Sequence, residues 1–161
     1  MDEQAFQQAI HLHVVGRYKE AQREYEALLV DDPHDALLHY RMAWVCDNLG
    51  EESRAVPHYE RALEGRLSGE DREGAFIGLG STYRCLGDYE RAEQLLRQGI
   101  REFPHNNALY TFPGLTLHNQ GRSSEGIKIL LEILAETSQD ENILTYKKAI
   151  LFYSDKLEQV W

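Results

Sequence analysis

Four glycines divide the chain at a nearly constant interval, and this spacing constrains the fold more than any other feature of the sequence. They begin the segments GRYKEA, GEESRA, GDYERA and GRSSEG, at Gly16, Gly50, Gly87 and Gly121. The intervals between them are 34, 37 and 34 residues. A self-similar period of this length is typical of folds that stack one supersecondary unit several times.

Three further positions keep their residue type through all four units. A small residue stands seven positions before each glycine, at Ala9, Ala43, Gly80 and Gly114. Another small residue stands five positions after it, at Ala21, Ala55, Ala92 and Gly126, and a bulky one follows at Tyr25, Tyr59, Leu96 and Leu130. Small residues let two helices cross closely, and a glycine after a helix can take the positive φ that reverses the chain. The spacing therefore predicts two antiparallel helices in each unit.

The third unit carries a family resemblance. Its aromatic, Leu-Gly, Tyr, Ala and Pro positions are filled by Phe76, Leu79, Gly80, Tyr83, Ala92 and Pro104. This pattern resembles the tetratricopeptide repeat family, and the resemblance covers nearly the whole chain. It implies a single all-α domain, a right-handed superhelical solenoid of about four helix-turn-helix repeats with a C-terminal capping helix. The repeats are expected at about 2–35, 36–72, 73–106 and 107–140, and the capping helix at about 141–161.

Two departures from the family pattern bear on helix boundaries. Ser68 and Asp71 have the spacing of a capping box, which predicts that the first helix of repeat three begins a turn early. Pro113 stands where the family has a residue inside a helix. Proline there removes a backbone hydrogen bond and clashes with the preceding turn, so the helix either starts near Phe112 or is kinked.

The composition narrows the classes of partner. The formal net charge is -10, with 27 acidic and 17 basic residues, which argues against nucleic acid or an anionic membrane surface as the main partner. The sequence shows no long apolar run and no secretory signal pattern, and its only cysteines are Cys46 and Cys85. We therefore expect a cytoplasmic protein without a disulfide framework.

Catalytic and cofactor patterns are missing from the sequence. It has no Gly-x-Ser-x-Gly, Walker or His-Glu-x-x-His motif, and the glycines of GAFIGLGS fall on repeat positions. His11 and His13 are two residues apart, which points them away from each other on a helix. We therefore expect no enzyme activity, no cofactor and no metal, and we interpret Cys46 as a packing residue.

The resemblance also implies a concave groove lined by the first helix of each repeat. Carried over position by position, the groove would present Phe6, Ile10 and His13, then Leu37, Tyr40, Arg41, Trp44 and Asn48, then Ile77, Ser81 and Arg84, then Thr111, Leu115 and His118. Such a lining suits a protein segment with apolar anchors, and Arg41 and Arg84 would read a carboxylate. The family's clamp for chaperone C-termini uses Lys and Asn, and Phe6 and Ile10 occupy two of those positions, which argues against that function.

The C-terminal segment ENILTYKKAILFYSDKLEQVW reads as one more helix. Its stripe of Ile143, Tyr146, Ile150, Tyr153 and Leu157 is suited to cover the last repeat. Additional apolar residues allow a second interface, either a homodimer or a partner site, at Leu144, Leu151, Phe152 and Trp161. The sequence thus favours a module that binds a protein or peptide in its groove, with a self-associating structural protein as the alternative and an enzyme or metal protein as the third possibility.

Overall fold

The computed structural model describes residues 2–161, which form α-helices joined by short connections and contain no β-strand. The helices are α1 Glu3–Val14, α2 Tyr18–Asp31, α3 Ala36–Asn48, α4 Glu52–Glu64, α5 Gly69–Cys85, α6 Tyr89–Glu102, α7 Asn107–Asn119, α8 Ser123–Thr137 and α9 Glu141–Tyr153. The chain divides into two compact units, Met1–Gly87 with α1 to α5 and Asp88–Trp161 with α6 to α9. The all-α helical-repeat fold expected from the sequence is confirmed.

The periodic glycines stand at the turns that follow α1, α3, α5 and α7. Each has a positive φ, between +72° and +82°, and an added Cβ at these glycines would meet no neighbouring atom. The requirement is therefore conformational and not steric, since only glycine takes this backbone region without strain. The prediction that Gly16, Gly50, Gly87 and Gly121 are turn residues is confirmed.

The first unit is built from two antiparallel pairs and one further helix. Helix α1 packs on α2, and α3 packs on α4. The two pairs meet where α2 contacts α3, and α5 packs on α4. The small residues Ala9, Ala21, Ala43 and Ala55 are completely buried, as expected for close crossings. The bulky residues beside them, Tyr25 and Tyr59, are buried as well, so aromatic rings fill part of the core of this unit.

The second unit has its closest crossing between α7 and α8. A Cβ added to Gly126 would lie 2.5 Å from the carbonyl oxygen of Gly114, and one added to Gly114 would lie 3.1 Å from the carbonyl oxygen of Gly126. A side chain at Gly126 would therefore force the two backbones apart, whereas one at Gly114 would make only a tight contact. Gly126 occupies the repeat position that holds alanine in the other three units.

The structure excludes the late start that was one alternative for α7, and it corrects the cap predicted for α5. α7 begins at Asn107, where the Asn106 side chain accepts hydrogen bonds from the backbone amides of Ala108 and Leu109, so Pro113 lies inside the helix and does not delay it. α5 does begin early, at Gly69, but the capping box is wrong. Ser68 makes no side-chain cap hydrogen bond, and the Asp71 carboxylate binds the guanidinium of Arg41 instead.

The capping helix is shorter and less buried than its pattern suggested. α9 packs on α8 but ends at Tyr153, so Leu157 lies beyond the helix. Ile143 and Ile150 are half-buried, whereas Tyr146 and Tyr153 are exposed. The stripe therefore covers only part of α8, because α9 ends before Leu157, the last residue of the stripe.

We expect Gly126→Ala to lower the free energy of unfolding by about 2 kcal/mol or more, because the new methyl group would overlap the Gly114 carbonyl at the α7–α8 crossing. The better helix propensity of alanine, up to about 1 kcal/mol, offsets only part of this. Urea unfolding followed by circular dichroism measures the change. Gly121→Ala, which strains only a turn, should cost less. An unchanged or increased stability for Gly126→Ala would contradict the close crossing.

A pair of histidines lies between α3 and α4. His39 is buried, and its Nε2 lies 3.1 Å from the carbonyl oxygen of Pro33. A carbonyl only accepts, so this nitrogen carries the proton, and the Nδ1 of His39 accepts a hydrogen bond from the Nδ1–H of His58 at 2.8 Å. Burial lowers the pKa of both side chains, and burial together with the charge of a protonated His39 lowers the pKa of His58 to about 4.

Acid should therefore destabilise the first unit. Because the folded pKa values lie below the unfolded value of about 6.5, the unfolded chain takes up protons first as the pH falls. This contribution to stability is complete above pH 6.5 and is lost toward pH 4. We expect the free energy of unfolding to fall by about 1 to 2 kcal/mol between pH 7 and pH 5, measured by urea titration. His58→Asn keeps a donor but does not titrate, and should flatten this dependence; an identical slope in the variant would contradict the assignment.

Candidate functional site

A cavity of about 260 Å³ lies among α1, α2 and α3 of the first unit. We call it the Trp44 cavity, and its lining residues are Ile10, His13, Val14, Tyr18, Tyr25, Arg41, Trp44 and Asn48. Facing positions of α1 and α3 form its sides, and the repeat spacing places the bulky residue of α2, Tyr25, against them. Its volume suits one or two side chains of a partner and is small for a cofactor.

Aromatic rings form the wall of the Trp44 cavity. The indole of Trp44 is 43% exposed although it belongs to α3. The ring of His13 meets it edge-on at 5.1 Å between centroids, and Tyr40 lies 5.9 Å away on its other side. Asn48 connects the two helices, because its Nδ2 donates to the Trp44 carbonyl oxygen at 2.8 Å and lies 3.1 Å from the Nε2 of His13. The indole is therefore held in position and still reaches solvent.

Tyr40 serves as a support of this wall and is only 7% exposed. It lies so near α5 that a Cβ at Gly74 would be 2.2 Å from its hydroxyl oxygen. Gly78 gives the same room to Tyr59, whose ring would lie 2.4 Å from an added Cβ. These glycines let the two tyrosines pack directly on the backbone of α5.

Arg41 is held over the aromatic wall by contacts on two sides. Its guanidinium carbon lies 5.2 Å from the centroid of Tyr40 and 5.7 Å from that of Trp44, within the range of cation–π attraction. Its Nη2 donates to Asp71 Oδ1 at 2.9 Å. The early start of α5 is what brings Asp71 within reach, so the first helix of repeat three completes a site of repeats one and two.

Two buried polar atoms at the Trp44 cavity have no hydrogen-bond partner among residues 2–161. They are the hydroxyl of Tyr25 and the Nε of Arg41. The Tyr25 side chain is completely buried, with its ring edge-on to Phe6 at 6.3 Å. Such atoms are uncommon in folded proteins, because an unsatisfied buried donor costs about 1 to 3 kcal/mol. Both atoms belong to residues of the cavity lining, and each has less than 1 Å² of accessible surface.

Burial keeps the side chains of Tyr25 and His13 neutral in the cavity. Burial raises the pKa of Tyr25 to about 12, against the opposing charge of Arg41, so the phenol keeps its proton at neutral pH and can donate. Burial and then the charge of Arg41 lower the pKa of His13. Arg41 is therefore the positive group of the cavity at neutral pH.

The predicted groove residues have different surroundings in the structure. Ile10, His13, Arg41, Trp44 and Asn48 meet at the Trp44 cavity. Phe6 is 5% exposed and packs on Tyr25, so we omit it from the candidate site. Half-buried side chains outside the cavity lining include Leu37, Ile77, Ser81 and Arg84.

The remaining predicted residues belong to the second unit. The hydroxyl of Thr111 donates to the Asn107 carbonyl oxygen of its own helix at 3.1 Å. His118 is exposed, with its Nδ1 3.0 Å from the hydroxyl oxygen of Ser123. Leu115 is also exposed. Their role in partner binding stays a prediction.

Sequence reasoning missed Tyr25, Tyr18 and Asp71. The repeat pattern identified Tyr25 as the bulky residue of a helix crossing, and nothing in that pattern shows that its hydroxyl lacks a partner. Tyr18 lies on a second helix, where no groove residue was expected, yet its ring meets His13 edge-on at 5.7 Å. Asp71 was interpreted as part of a helix cap. The one available signal was that Tyr25 would bring a polar hydroxyl to a position predicted to lie in the core.

Two wider searches of the chain complete the description. Within residues 2–161, no three His, Cys, Asp or Glu residues are grouped so that they could hold a metal ion. None of the described helices has both the length and the apolar character required to cross a bilayer. Cys46 is buried and Cys85 is exposed.

Known proteins similar to this chain include the photosystem I assembly protein Ycf3 of Synechococcus sp. (strain CC9605), which is 28% identical over 91 residues. That match covers 56% of this chain and 53% of Ycf3, so the chain spans about half the length of the curated relatives it matches. Ycf3 of Prochlorococcus marinus (strain NATL1A) is 26% identical over the same length.

Solved structures share the fold at low sequence identity. The MamA protein superposes with a TM-score of 0.74 at 18% identity, over 91% of this chain and 75% of that one. YrrB, described as a TPR protein with an unusual peptide-binding site, gives 0.72 at 19% identity, over 88% and 71%. The sequence profile of the family described as "Tetratrico peptide repeat" matches residues 36–157. The chain therefore belongs to the tetratricopeptide repeat family.

Proposed function

We propose that this protein is a non-enzymatic interaction module that binds a peptide or helical segment of a partner protein, with the Trp44 cavity as the main anchor site. The observation that carries the proposal is the exposed indole of Trp44 beside Arg41 at the cavity. Large aromatic and arginine side chains in a preformed concavity are the usual anchors of protein interfaces.

Three further features support this proposal. The cavity is small for a cofactor but large enough for an inserted side chain. The aromatic wall is held by packing and hydrogen bonds, so little conformational entropy is lost when a partner docks. The similar fold of YrrB, a protein described as having a peptide-binding site, is consistent with this use of the scaffold.

We expect Trp44→Ala to reduce partner capture at least tenfold, because a central aromatic anchor contributes about 2 kcal/mol or more to binding. The immobilised protein is exposed to a lysate of its source cell, and captured proteins are quantified by mass spectrometry against the variant. Val30→Ala is the matched control, since Val30 is an exposed apolar residue of α2 outside the cavity lining. Circular dichroism first establishes that both variants are folded. Equal capture by Trp44→Ala and wild type would contradict the proposal.

A second candidate function is self-association through α9. None of the 13 residues of this helix is fully buried. Leu144 and Phe152 are exposed, Leu151 is half-buried, and Trp161 is 75% exposed and stacks on Phe152 at 5.9 Å. An apolar surface of this kind on a stable fold is commonly an interface.

Phe152→Glu tests the second candidate. If α9 forms a homodimer, the wild type should show about twice the monomer mass by light scattering at high concentration, and the variant should remain a monomer because a buried, unpaired carboxylate is costly. Val30→Glu adds the same charge to an exposed position of the first unit and should leave the mass unchanged. A wild type that stays monomeric at every concentration would exclude this function.

A further inference from the structure

A second cavity, of about 400 Å³, lies in the second unit, and the proposed function does not use it. Helices α6, α7 and α8 form it. We call it the Pro113 cavity, and its lining residues are Arg97, Ile100, Arg101, Tyr110, Pro113, Ile129 and Glu132. Its volume falls in the range of about 300 to 1,000 Å³ that is usual for ligand-binding sites.

The Pro113 cavity lies on a different face of α7 from the predicted groove. An α-helix turns by about 100° per residue. Around α7, Pro113 is therefore separated by about 140° to 160° from the predicted groove residues of that helix, which are Thr111, Leu115 and His118. None of those three side chains lines the cavity. A ligand of this cavity would therefore bind outside the groove.

The walls of the Pro113 cavity are apolar and held in place. Ile100, Tyr110 and Ile129 are half-buried and reach solvent, while the buried ring of Pro113 closes the floor. The hydroxyl of Tyr110 donates to the carbonyl oxygen of Pro104 at 3.2 Å, which fixes its ring. Because the proline and the held tyrosine have little side-chain freedom to lose, an aromatic ring can pack on them at a low cost in entropy.

One charge at the rim of the Pro113 cavity is open. Arg97 Nη2 donates to Glu93 Oε1 at 2.6 Å, and Glu132 Oε1 lies 3.8 Å from Lys128 Nζ. Arg101 is exposed and has no ion-pair partner among residues 2–161. Its guanidinium is therefore accessible to a carboxylate, the group that arginine pairs with most favourably.

We propose that the Pro113 cavity is a second docking site, for a segment of a partner protein that carries an aromatic residue followed by an acidic one. The aromatic ring packs against Ile100 and Ile129 over Pro113, and the carboxylate pairs with Arg101. This inference goes beyond the proposed function, because it adds a contact surface that does not depend on the Trp44 cavity.

The two parts of the proposed ligand contribute unequally. Large aromatic side chains that enter an apolar cavity supply most of the binding energy of an interface. An ion pair with an exposed arginine contributes much less, since water and salt screen it. We therefore expect the ring to set the affinity and Arg101 to set the preference for an acidic neighbour.

The test uses nuclear magnetic resonance of the full chain with labelled isoleucine methyl groups. Ile100 and Ile129 are the reporters, because an aromatic ring beside them shifts their signals. Three peptides are titrated at neutral pH and constant ionic strength: N-acetyl-Gly-Trp-Glu-Gly amide, the same peptide with Gln for Glu, and the same peptide with Ala for Trp. We expect the Trp-Glu peptide to shift both signals saturably. It should bind about threefold more tightly than the Trp-Gln peptide and about tenfold more tightly than the Ala-Glu peptide.

Four variants connect the binding to the named residues. Arg101→Gln removes one charge at an exposed position and should bind the Trp-Glu and Trp-Gln peptides equally. Lys148→Gln, the matched control, removes the same charge from an exposed position of α9 and should keep the preference. Ile129→Ala should weaken both tryptophan peptides about fivefold or more, with Ile100 as the remaining reporter and circular dichroism as the check on folding. Trp44→Ala should bind all three peptides as the wild type does.

Three results with the peptides would overturn the assignment. They are the absence of a saturable shift with the Trp-Glu peptide, equal binding of the Trp-Glu and Ala-Glu peptides, and an unchanged preference for Glu in Arg101→Gln. Shifts of the Ile100 and Ile129 signals with protein concentration alone would also overturn it, since a second copy of the chain would then fill the cavity. None of these results decides the proposed function, because capture by Trp44→Ala is measured separately and concerns the other cavity.

Discussion

The close crossing of paired helices is the constraint on which the rest of this structure depends. Residues without a long side chain stand at the crossings of α1 with α2, α3 with α4 and α7 with α8, and at Gly114 and Gly126 the two backbones come within contact distance. A glycine with positive φ stands at the turn that ends the first helix of each of these pairs. Because these two requirements fall at fixed separations, the helices of each pair can pack in one register only.

This packing explains why a site forms in the first unit. When α1 and α2 cross at Ala9 and Ala21, and α3 follows in the next pair, side chains on the facing turns of α1 and α3 cannot all reach the core. Trp44 remains partly exposed, while Tyr25 fills the space below it. The result is a cavity with an aromatic wall and a buried floor that contains a hydroxyl. Such a shape follows from stacking and would be retained by many sequences, whereas its chemistry depends on Tyr25 and Arg41.

Electrostatic contacts fix the charged side chain of this cavity. The cation–π contacts with Tyr40 and Trp44 and the ion pair with Asp71 hold Arg41 in one orientation. The buried histidines between α3 and α4 are held neutral by the same low-dielectric packing. The first unit thus contains both a fixed positive charge and buried histidines whose pKa values are lowered.

The sequence by itself determined the helix pairs, the turns and the family. It did so because these depend on local requirements, a positive φ at Gly87 or a small side chain at Ala55, that recur at a fixed period. It also placed Trp44 and Arg41 among the candidate binding residues. Only the tertiary structure decided that α7 continues through Pro113, that Asp71 binds Arg41 and that Tyr25 has an unpartnered hydroxyl. These outcomes depend on which atoms from distant parts of the chain meet, and periodicity records the spacing of residues but not the satisfaction of their hydrogen bonds.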